Sequence, residues 1–122
     1  MLQIKNMIIY YLNDNKGNLM AKFENVSIAK AANIFYEGNI TSRSIEFQDG
    51  SRKTLGIMLP GEYELNTINK EIIDIQTGQL EVMLPAEDWM EVSAPASFEV
   101  PANSKFKLRV KKLVDYCCTF VK

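Results

Sequence analysis

The feature that most constrains the fold is a series of short apolar runs between Thr54 and Leu84, each separated from the next by a turn-forming pair. The turn-forming pairs are Pro60-Gly61, Asn69-Lys70 and Thr77-Gly78. Alternation of apolar and polar residues over a few positions indicates strands, and pairs of this kind favour tight turns because of their backbone preferences. The stretch therefore predicts consecutive antiparallel strands in the middle of a small all-β barrel.

Further strands are predicted on both sides of this stretch. Ile40 to Phe47 is expected to be a strand that returns through an Asp-Gly turn into Arg52 to Leu59, and Phe106 to Val110 and Tyr116 to Val121 are expected to follow later. Phe23 to Tyr36 contains alanines and a lysine and is predicted to form a short helix, with Ser27 as a candidate cap. Eight or nine strands with frequent turns is a count typical of a barrel or sandwich.

Composition limits the classes of function. With 122 residues the chain is one domain by length, and its formal net charge of -1 gives no electrostatic reason to expect a nucleic-acid or membrane partner. No histidine occurs, which excludes histidine-based triads and histidine-ligated metals. Cys117 and Cys118 are adjacent, so on a strand they point to opposite faces and are expected to be reduced thiols.

A spaced motif lies within the central stretch. Gly61, Thr67, Asn69, Glu71 and Gly78 follow one another at intervals that resemble the first motif of the cupin superfamily, in which a His-x-His pair and a glutamate stand between two glycines. Thr67 and Asn69 occupy the two histidine positions, and the gap before Glu71 is shorter than usual. The resemblance therefore implies a cupin-type jelly-roll barrel without a metal or other cofactor.

Longer segments resemble one family of small single-domain cupins, the pyrimidine/purine nucleoside phosphorylases. The matching segments run in unbroken order over about two thirds of the chain: DGSRKTLGIMLPGEYEL, EIIDIQTGQLEVMLP, Trp89, SFEVPANSKFKLRV and DYCC. The resemblance implies a cytoplasmic homodimer that cleaves purine and pyrimidine nucleosides with inorganic phosphate, giving free base and (deoxy)ribose 1-phosphate. One departure is Thr119, where the family commonly has an arginine.

The chain is expected to divide near Met20. Residues 20–122 form the predicted cupin domain. We interpret residues 1–19 as a short N-terminal extension outside the functional chain, because the family resemblance begins after them. Within the extension, Met7 to Leu12 is expected to form one strand.

Two residues are candidates for catalysis. Arg52 shares a predicted strand face with Thr54 and Gly56, a polar face that suits a pocket wall, and a guanidinium is a suitable phosphate ligand. Glu71 stands at the cupin glutamate position, where its carboxylate is expected to point into the barrel and hold ribose hydroxyls or pair with Arg52. An ion pair between the two without a role in substrate binding remains an alternative.

Six further residues are candidates for substrate binding. Thr54, Thr67 and Asn69 are expected to supply neutral hydrogen bonds in the cavity, and Tyr63, Trp89 and Tyr116 are candidate stacking surfaces for a base. Two other functions stay open on the sequence. One is a non-catalytic cupin that binds small molecules, and the other is a carbohydrate-active isomerase with Tyr63 or Glu71 as acid or base.

Overall fold

The computed structural model describes residues 2–4, 7–13 and 19–122, and side chains from residue 21 onward. The regular structure of these residues is twelve strands and one turn of 3-10 helix at Tyr36–Gly38. The strands are β1 Leu2–Ile4, β2 Met7–Asn13, β3 Leu19–Phe23, β4 Ser27–Ile28, β5 Asn33–Phe35, β6 Ile40–Glu46, β7 Arg52–Met58, β8 Gly61–Asn66, β9 Lys70–Met83, β10 Trp89–Ser93, β11 Ala96–Val100 and β12 Lys105–Val121. The all-β prediction is confirmed.

The first three strands form a second, smaller sheet. Strands β1, β2 and β3 pair antiparallel in that order, so the single strand predicted for Met7 to Leu12 is the middle of three. The division predicted near Met20 falls within β3, and the assignment of residues 1–19 to an extension stays a prediction.

The main sheet has nine strands and is held together by the two longest, β9 and β12. The first part of β12 pairs with β8 and its last part pairs with β7, while β9 runs beside it throughout with register shifts between Val110 and Tyr116. Both long strands therefore cross from one half of the barrel to the other. Buried residues of the two halves pack together in one core, which includes Met58, Leu80 and Leu108.

Gly78 allows β9 to bend where it crosses between the halves. Its φ is +101°, and a Cβ atom built on it would lie 2.2 Å from the carbonyl oxygen of Leu113. A side chain there would strain the backbone and collide with β12. The predicted Thr77-Gly78 turn is therefore wrong: this glycine lies inside a strand, where it permits a close approach of two backbones.

The helix predicted between Phe23 and Tyr36 is also wrong. This segment forms the short strands β4 and β5, which pair with β6, followed by the 3-10 turn. Asn25 has a φ of +57°, which interrupts any helix. Helix propensity is a weak influence, and the open edge of β6 offers strand hydrogen bonds that outweigh it.

Candidate active site

Strands β6, β7, β12 and β9 present a polar inner wall to the interior of the barrel. On β7 the inward residues are Arg52, Thr54, Gly56 and Met58, and Thr54 and Met58 are buried. The alternate residues point outward, so Leu55 is 37% exposed. The apolar residue Leu55 therefore lies on the outer face of the barrel, whereas the polar residues Arg52 and Thr54 lie on its inner face.

This wall bounds a cavity of about 590 Å³. Four of the predicted site residues line it, namely Arg52, Thr54, Glu71 and Tyr116. The other lining residues come from β5 to β9, β12 and the turn after β5: Asn33, Phe35, Tyr36, Ile40, Ser42, Ser44, Met58, Glu64, Leu65, Asn66, Ile73, Phe106, Cys118 and Phe120. The cavity is large enough for a nucleoside-sized ligand, because such sites typically measure about 300–1,000 Å³.

Arg52 and Glu71 stand on opposite sides of Phe120. Glu71 pairs with Phe120 in the register of β9 and β12, and the Arg52 guanidinium carbon lies 5.4 Å from the centre of the Phe120 ring. Within the described residues, neither Arg52 nor Glu71 forms an ion pair, so the alternative of a mutual pair is not what the structure shows. The arginine thus keeps its hydrogen-bond donors available to an anion.

The carboxyl group of Glu71 is half-buried. The Cys118 thiol donates a hydrogen bond to its Oε1 over 3.4 Å. Burial raises the pKa of this carboxyl, and the hydrogen bond from Cys118 partly offsets the rise by lowering it. The acid form of this carboxyl is therefore more favoured than that of an exposed glutamate.

Tyr116 lies across the floor of the cavity because Gly56 leaves space for it. A Cβ atom on Gly56 would lie 2.8 Å from the Tyr116 hydroxyl oxygen and 2.1 Å from the carbonyl oxygen of Thr41. Burial raises the pKa of Tyr116 to about 12, so the group is a neutral phenol near pH 7. It can donate or accept a hydrogen bond there but carries no charge.

Residues 33–38, here called the strap, close one side of the cavity. Asn33 donates to the hydroxyls of Ser42 and Ser44, at 3.2 Å and 3.0 Å, and ties the strap to β6. At the other end the Tyr36 hydroxyl accepts from the Glu64 amide at 3.0 Å and donates to the Glu64 carbonyl, which ties the strap to β8. The strap therefore bridges the two halves of the barrel.

The strap also supplies aromatic surface that was missed on the sequence. Phe35 lines the cavity and is 50% exposed, beside Tyr36. Tyr36 and Glu37 both have φ values in the left-handed region, +50° and +56°, a conformation that non-glycine residues rarely adopt and that clusters at functional sites. The aromatic surface was missed because a helix was predicted for this segment. Gly38-Asn39, two residues after Tyr36, was a sequence signal for a turn.

Thr67 and Asn69 do not line the cavity. They lie in the connection between the end of β8 at Asn66 and the start of β9 at Lys70. The Thr67 hydroxyl donates to the Pro101 carbonyl at 2.6 Å and accepts from the Ser104 amide at 3.0 Å, so it fastens a neighbouring loop. The shortened gap before Glu71 explains this, because it places both residues in the connection instead of on an inward-facing strand.

Tyr63 and Trp89 also lie outside the cavity lining. Tyr63 is buried, donates to the Leu59 carbonyl at 2.7 Å and packs against Tyr36, so it supports the strap from behind. The Trp89 ring lies 3.8 Å below the guanidinium of Arg109, which also pairs with Glu62. Their roles in substrate binding stay predictions, as do those of Thr67 and Asn69.

Two negative findings concern the part of the chain that the structure describes. No three residues among histidine, cysteine, aspartate and glutamate gather there as ligands for a metal ion. None of its helices is long and apolar enough to span a membrane. Thr119, at the position where the family commonly has an arginine, accepts a hydrogen bond from Lys53 at 2.5 Å and is absent from the cavity lining.

The fold and the inward-facing polar wall define a small single-domain cupin. A cupin superfamily protein from Desulfitobacterium hafniense has the same fold, with a TM-score of 0.56 at 13% identity over 68% of this chain and 78% of that one. The family model described as pyrimidine/purine nucleoside phosphorylase matches residues 30–120. The chain belongs to the pyrimidine/purine nucleoside phosphorylase family, which confirms the sequence-based assignment.

Individual relatives agree with the family assignment. The pyrimidine/purine nucleoside phosphorylase of Chlorobium chlorochromatii is 58% identical over 102 residues, which cover 84% of this chain and 99% of the relative. That of Sulfurimonas denitrificans is 53% identical over 103 residues, covering 84% and 100%. A solved structure of a protein of unknown function from Acinetobacter sp. ADP1 superposes with a TM-score of 0.78 at 31% identity, over 82% of this chain and 98% of that chain.

Proposed function

We propose that this chain is a nucleoside phosphorylase that cleaves purine and pyrimidine nucleosides with inorganic phosphate inside the barrel. The observation that carries the proposal is the arrangement of Arg52 and Glu71 on either side of Phe120, in a cavity of nucleoside size. The guanidinium of Arg52 is suited to bind phosphate, and the carboxylate of Glu71 is suited to hold the hydroxyls of the ribose. Phosphate and ribose are the polar parts of the two substrates. The family to which the chain belongs carries the same activity in its name.

Arg52 is the proposed phosphate ligand. Its guanidinium carries no carboxylate partner in the described chain and is held over an aromatic ring, which orients it without neutralising it. Phosphate is already a nucleophile, so one of its oxygens bonds to C1′ of the sugar without a general base. The bond from C1′ to the base nitrogen breaks and its electron pair leaves with the base. The base takes up one proton, and the attacking hydrogen phosphate gives up one, so the step balances.

Glu71 is the proposed ligand of the sugar. Its half-buried carboxylate can accept hydrogen bonds from ribose hydroxyls and stabilise the positive charge that develops on the sugar as the bond to the base breaks. Thr54, Ser42 and Ser44 supply neutral donors and acceptors on the same wall. Positioning and charge stabilisation then account for the rate in this proposal.

The base is proposed to lie against the strap, with Phe35 as its stacking surface. An aromatic face accepts purines and pyrimidines alike, because every base has a π-face. Half-exposed Phe35 at the cavity wall fits this role. Acceptance of many bases is therefore expected from stacking, without a set of hydrogen bonds that reads one base.

The enzyme is proposed to act in the cytoplasm as a homodimer. One outward row of the sheet supports the dimer: Arg43, Leu55, Cys117 and Asp74 lie side by side on β6, β7, β12 and β9. Neither charged end forms an ion pair within the described residues, and the row is basic at one end, acidic at the other and apolar between. If a second copy is related to the first by a two-fold axis parallel to the strands, Arg43 of each copy lies over Asp74, the acidic end of the row, in the other copy.

A charge swap tests this dimer. Arg43→Asp and Asp74→Arg should each weaken a dimer measured by light scattering, and the double variant should restore it because the two charges exchange places. A monomeric wild-type protein, or a dimer that ignores both single reversals, would remove this interface.

The activity is tested with protein treated with chelator and incubated with uridine and, separately, with adenosine. Release of both bases together with ribose 1-phosphate, only when phosphate is present, is the expected result. Release without phosphate would mean hydrolysis. Tight nucleoside binding without turnover would favour a non-catalytic binding cupin, and conversion of a sugar without loss of base would favour the isomerase.

A further inference from the structure

The cavity contains a thiol that is hydrogen-bonded to a proposed catalytic carboxyl group. Cys118 pairs with Ile73 in the register of β12 and β9, and Glu71 pairs with Phe120 one inward position along, so the two are diagonal neighbours on the inner wall. The Cys118 sulfur lies 3.4 Å from Glu71 Oε1. No other side-chain hydrogen bond to Glu71 is formed by the residues that the structure describes.

The thiol is a donor in this contact. Cys118 is buried, and burial together with the negative charge of Glu71 raises the pKa of its thiol, so the sulfur keeps its proton through the range in which enzymes are assayed. A protonated thiol beside a carboxylate donates to it, and such a bond favours the charged form of the carboxylate. The sulfur therefore serves as a weak donor on the inner wall, beside Ile73 and Phe120.

We propose that Cys118 is a positioning residue for the reaction: its thiol holds the Glu71 carboxylate ionised and turned toward the sugar. The inference rests on the proposed role of Glu71 in the phosphorylase reaction. Only Cys118 is hydrogen-bonded to Glu71 among the titratable and charged groups that line the cavity with it. The other groups are Arg52 from β7, Glu64 from β8, Tyr116 from β12 and Tyr36 from the strap. Cys118 touches neither phosphate nor base in this scheme and acts through Glu71.

The chain offers a matched control in the neighbouring cysteine. Cys117 is also buried and also a free thiol, but it points to the outer face, beside Lys53, Asp74 and Asp115. Cys117→Ala removes a buried thiol from the same strand without touching Glu71, and it keeps the middle of the proposed dimer row uncharged. Any effect specific to Cys118 is therefore separable from a general effect of losing a thiol from β12.

The test compares Cys118→Ala, Cys118→Ser and Cys117→Ala, each checked for folding by circular dichroism. Two quantities are measured against pH: the ¹³C chemical shift of the Glu71 carboxyl in the protein without substrate, and kcat/KM for uridine. In Cys118→Ala the titration of Glu71 and the acid limb of kcat/KM should both move up by about half to one pH unit, as expected for the loss of one hydrogen bond. Cys118→Ser should restore both, and Cys117→Ala should leave both unchanged.

Several outcomes overturn the inference. An unchanged carboxyl titration in Cys118→Ala, or an equal shift in Cys117→Ala, removes the thiol as the partner of Glu71. A shifted titration with an unshifted kcat/KM profile places Glu71 outside the reaction and removes the positioning role. If wild-type protein shows no phosphorolysis, the proposed function fails. The carboxyl titration needs no turnover, so it still reports whether the thiol is the hydrogen-bond partner of Glu71, and the two failures can be told apart. If Cys118→Ala does not fold, Cys118→Val, which preserves side-chain volume, gives the same test.

Discussion

Replacing Arg52 with alanine should remove most of the affinity for phosphate and leave the fold intact. The guanidinium has no ion-pair partner within the described residues, so its loss breaks only the contact with the Phe120 ring, which contributes about 0.5–1 kcal/mol at an exposed site. Two charge-assisted hydrogen bonds to phosphate contribute about 1.5–3 kcal/mol each. Because Arg52 is exposed, the lower end applies, and the loss is about 3 kcal/mol, or roughly 10²-fold in kcat/KM for phosphate.

The assay is initial-rate kinetics in which phosphate and uridine are varied separately. We expect the loss in the phosphate term, with uridine binding to the free enzyme changed little. Arg109→Ala is the control, because Arg109 lies on Trp89 away from the cavity and its loss should not alter phosphate kinetics. Near-normal phosphate kinetics in folded Arg52→Ala would refute the assignment of the anion site to this residue.

Three further predictions follow from the same geometry. Gly56→Ala should lower the free energy of unfolding by about 3 kcal/mol in urea denaturation, because its Cβ would lie 2.1 Å from the Thr41 carbonyl oxygen, and unchanged stability would contradict that packing. Phe35→Ala should raise KM for both uridine and adenosine by roughly fivefold through the loss of about 1 kcal/mol of stacking, while the exposed neighbour Ile34→Ala, outside the cavity lining, should not. Glu71→Gln should abolish turnover and, since burial raises the pKa of Glu71, stabilise the fold near pH 7. Because the pKa of Glu71 is raised by folding, its protonation stabilises the wild-type protein fully in acid, and this stabilisation is lost as the pH rises through the pKa of the folded state. The stability that Glu71→Gln gains over the wild-type protein near pH 7 should therefore vanish in acid. A gain that persists in acid would contradict a raised pKa.

The sequence carried enough information for the barrel and for one wall of the site. Alternation along β7 placed Arg52 and Thr54 on one face, and the structure brings both into the cavity with Glu71 and Tyr116. The shared face of Arg52 and Thr54 follows from the two-residue period of a strand, which is a local property of the sequence. The face of β7 that is buried did not follow from hydrophobicity, because Leu55 points outward while Thr54 is buried in the wall of a polar cavity.

The rest of the site depends on long-range contacts that no local pattern reports. The strap is shaped by the pairing of β5 with β6 and by the bonds of Tyr36 to Glu64, which lie 28 residues apart. Thr67 was placed in the cavity by analogy with a metal-ligand position, but the shorter connection before Glu71 turns it toward Pro101 and Ser104. Cys118 and Glu71 lie 47 residues apart in the sequence, and the hydrogen bond between them depends on the register of β9 and β12.

A crystal structure with inosine and sulfate, the latter as a non-reacting substitute for phosphate, would show whether the barrel cavity binds both substrates. We expect sulfate within hydrogen-bond distance of the Arg52 guanidinium, ribose hydroxyls on the Glu71 carboxylate and the base against Phe35. Binding of the nucleoside outside this cavity, for example beside Trp89 and Arg109, would contradict the proposed active site.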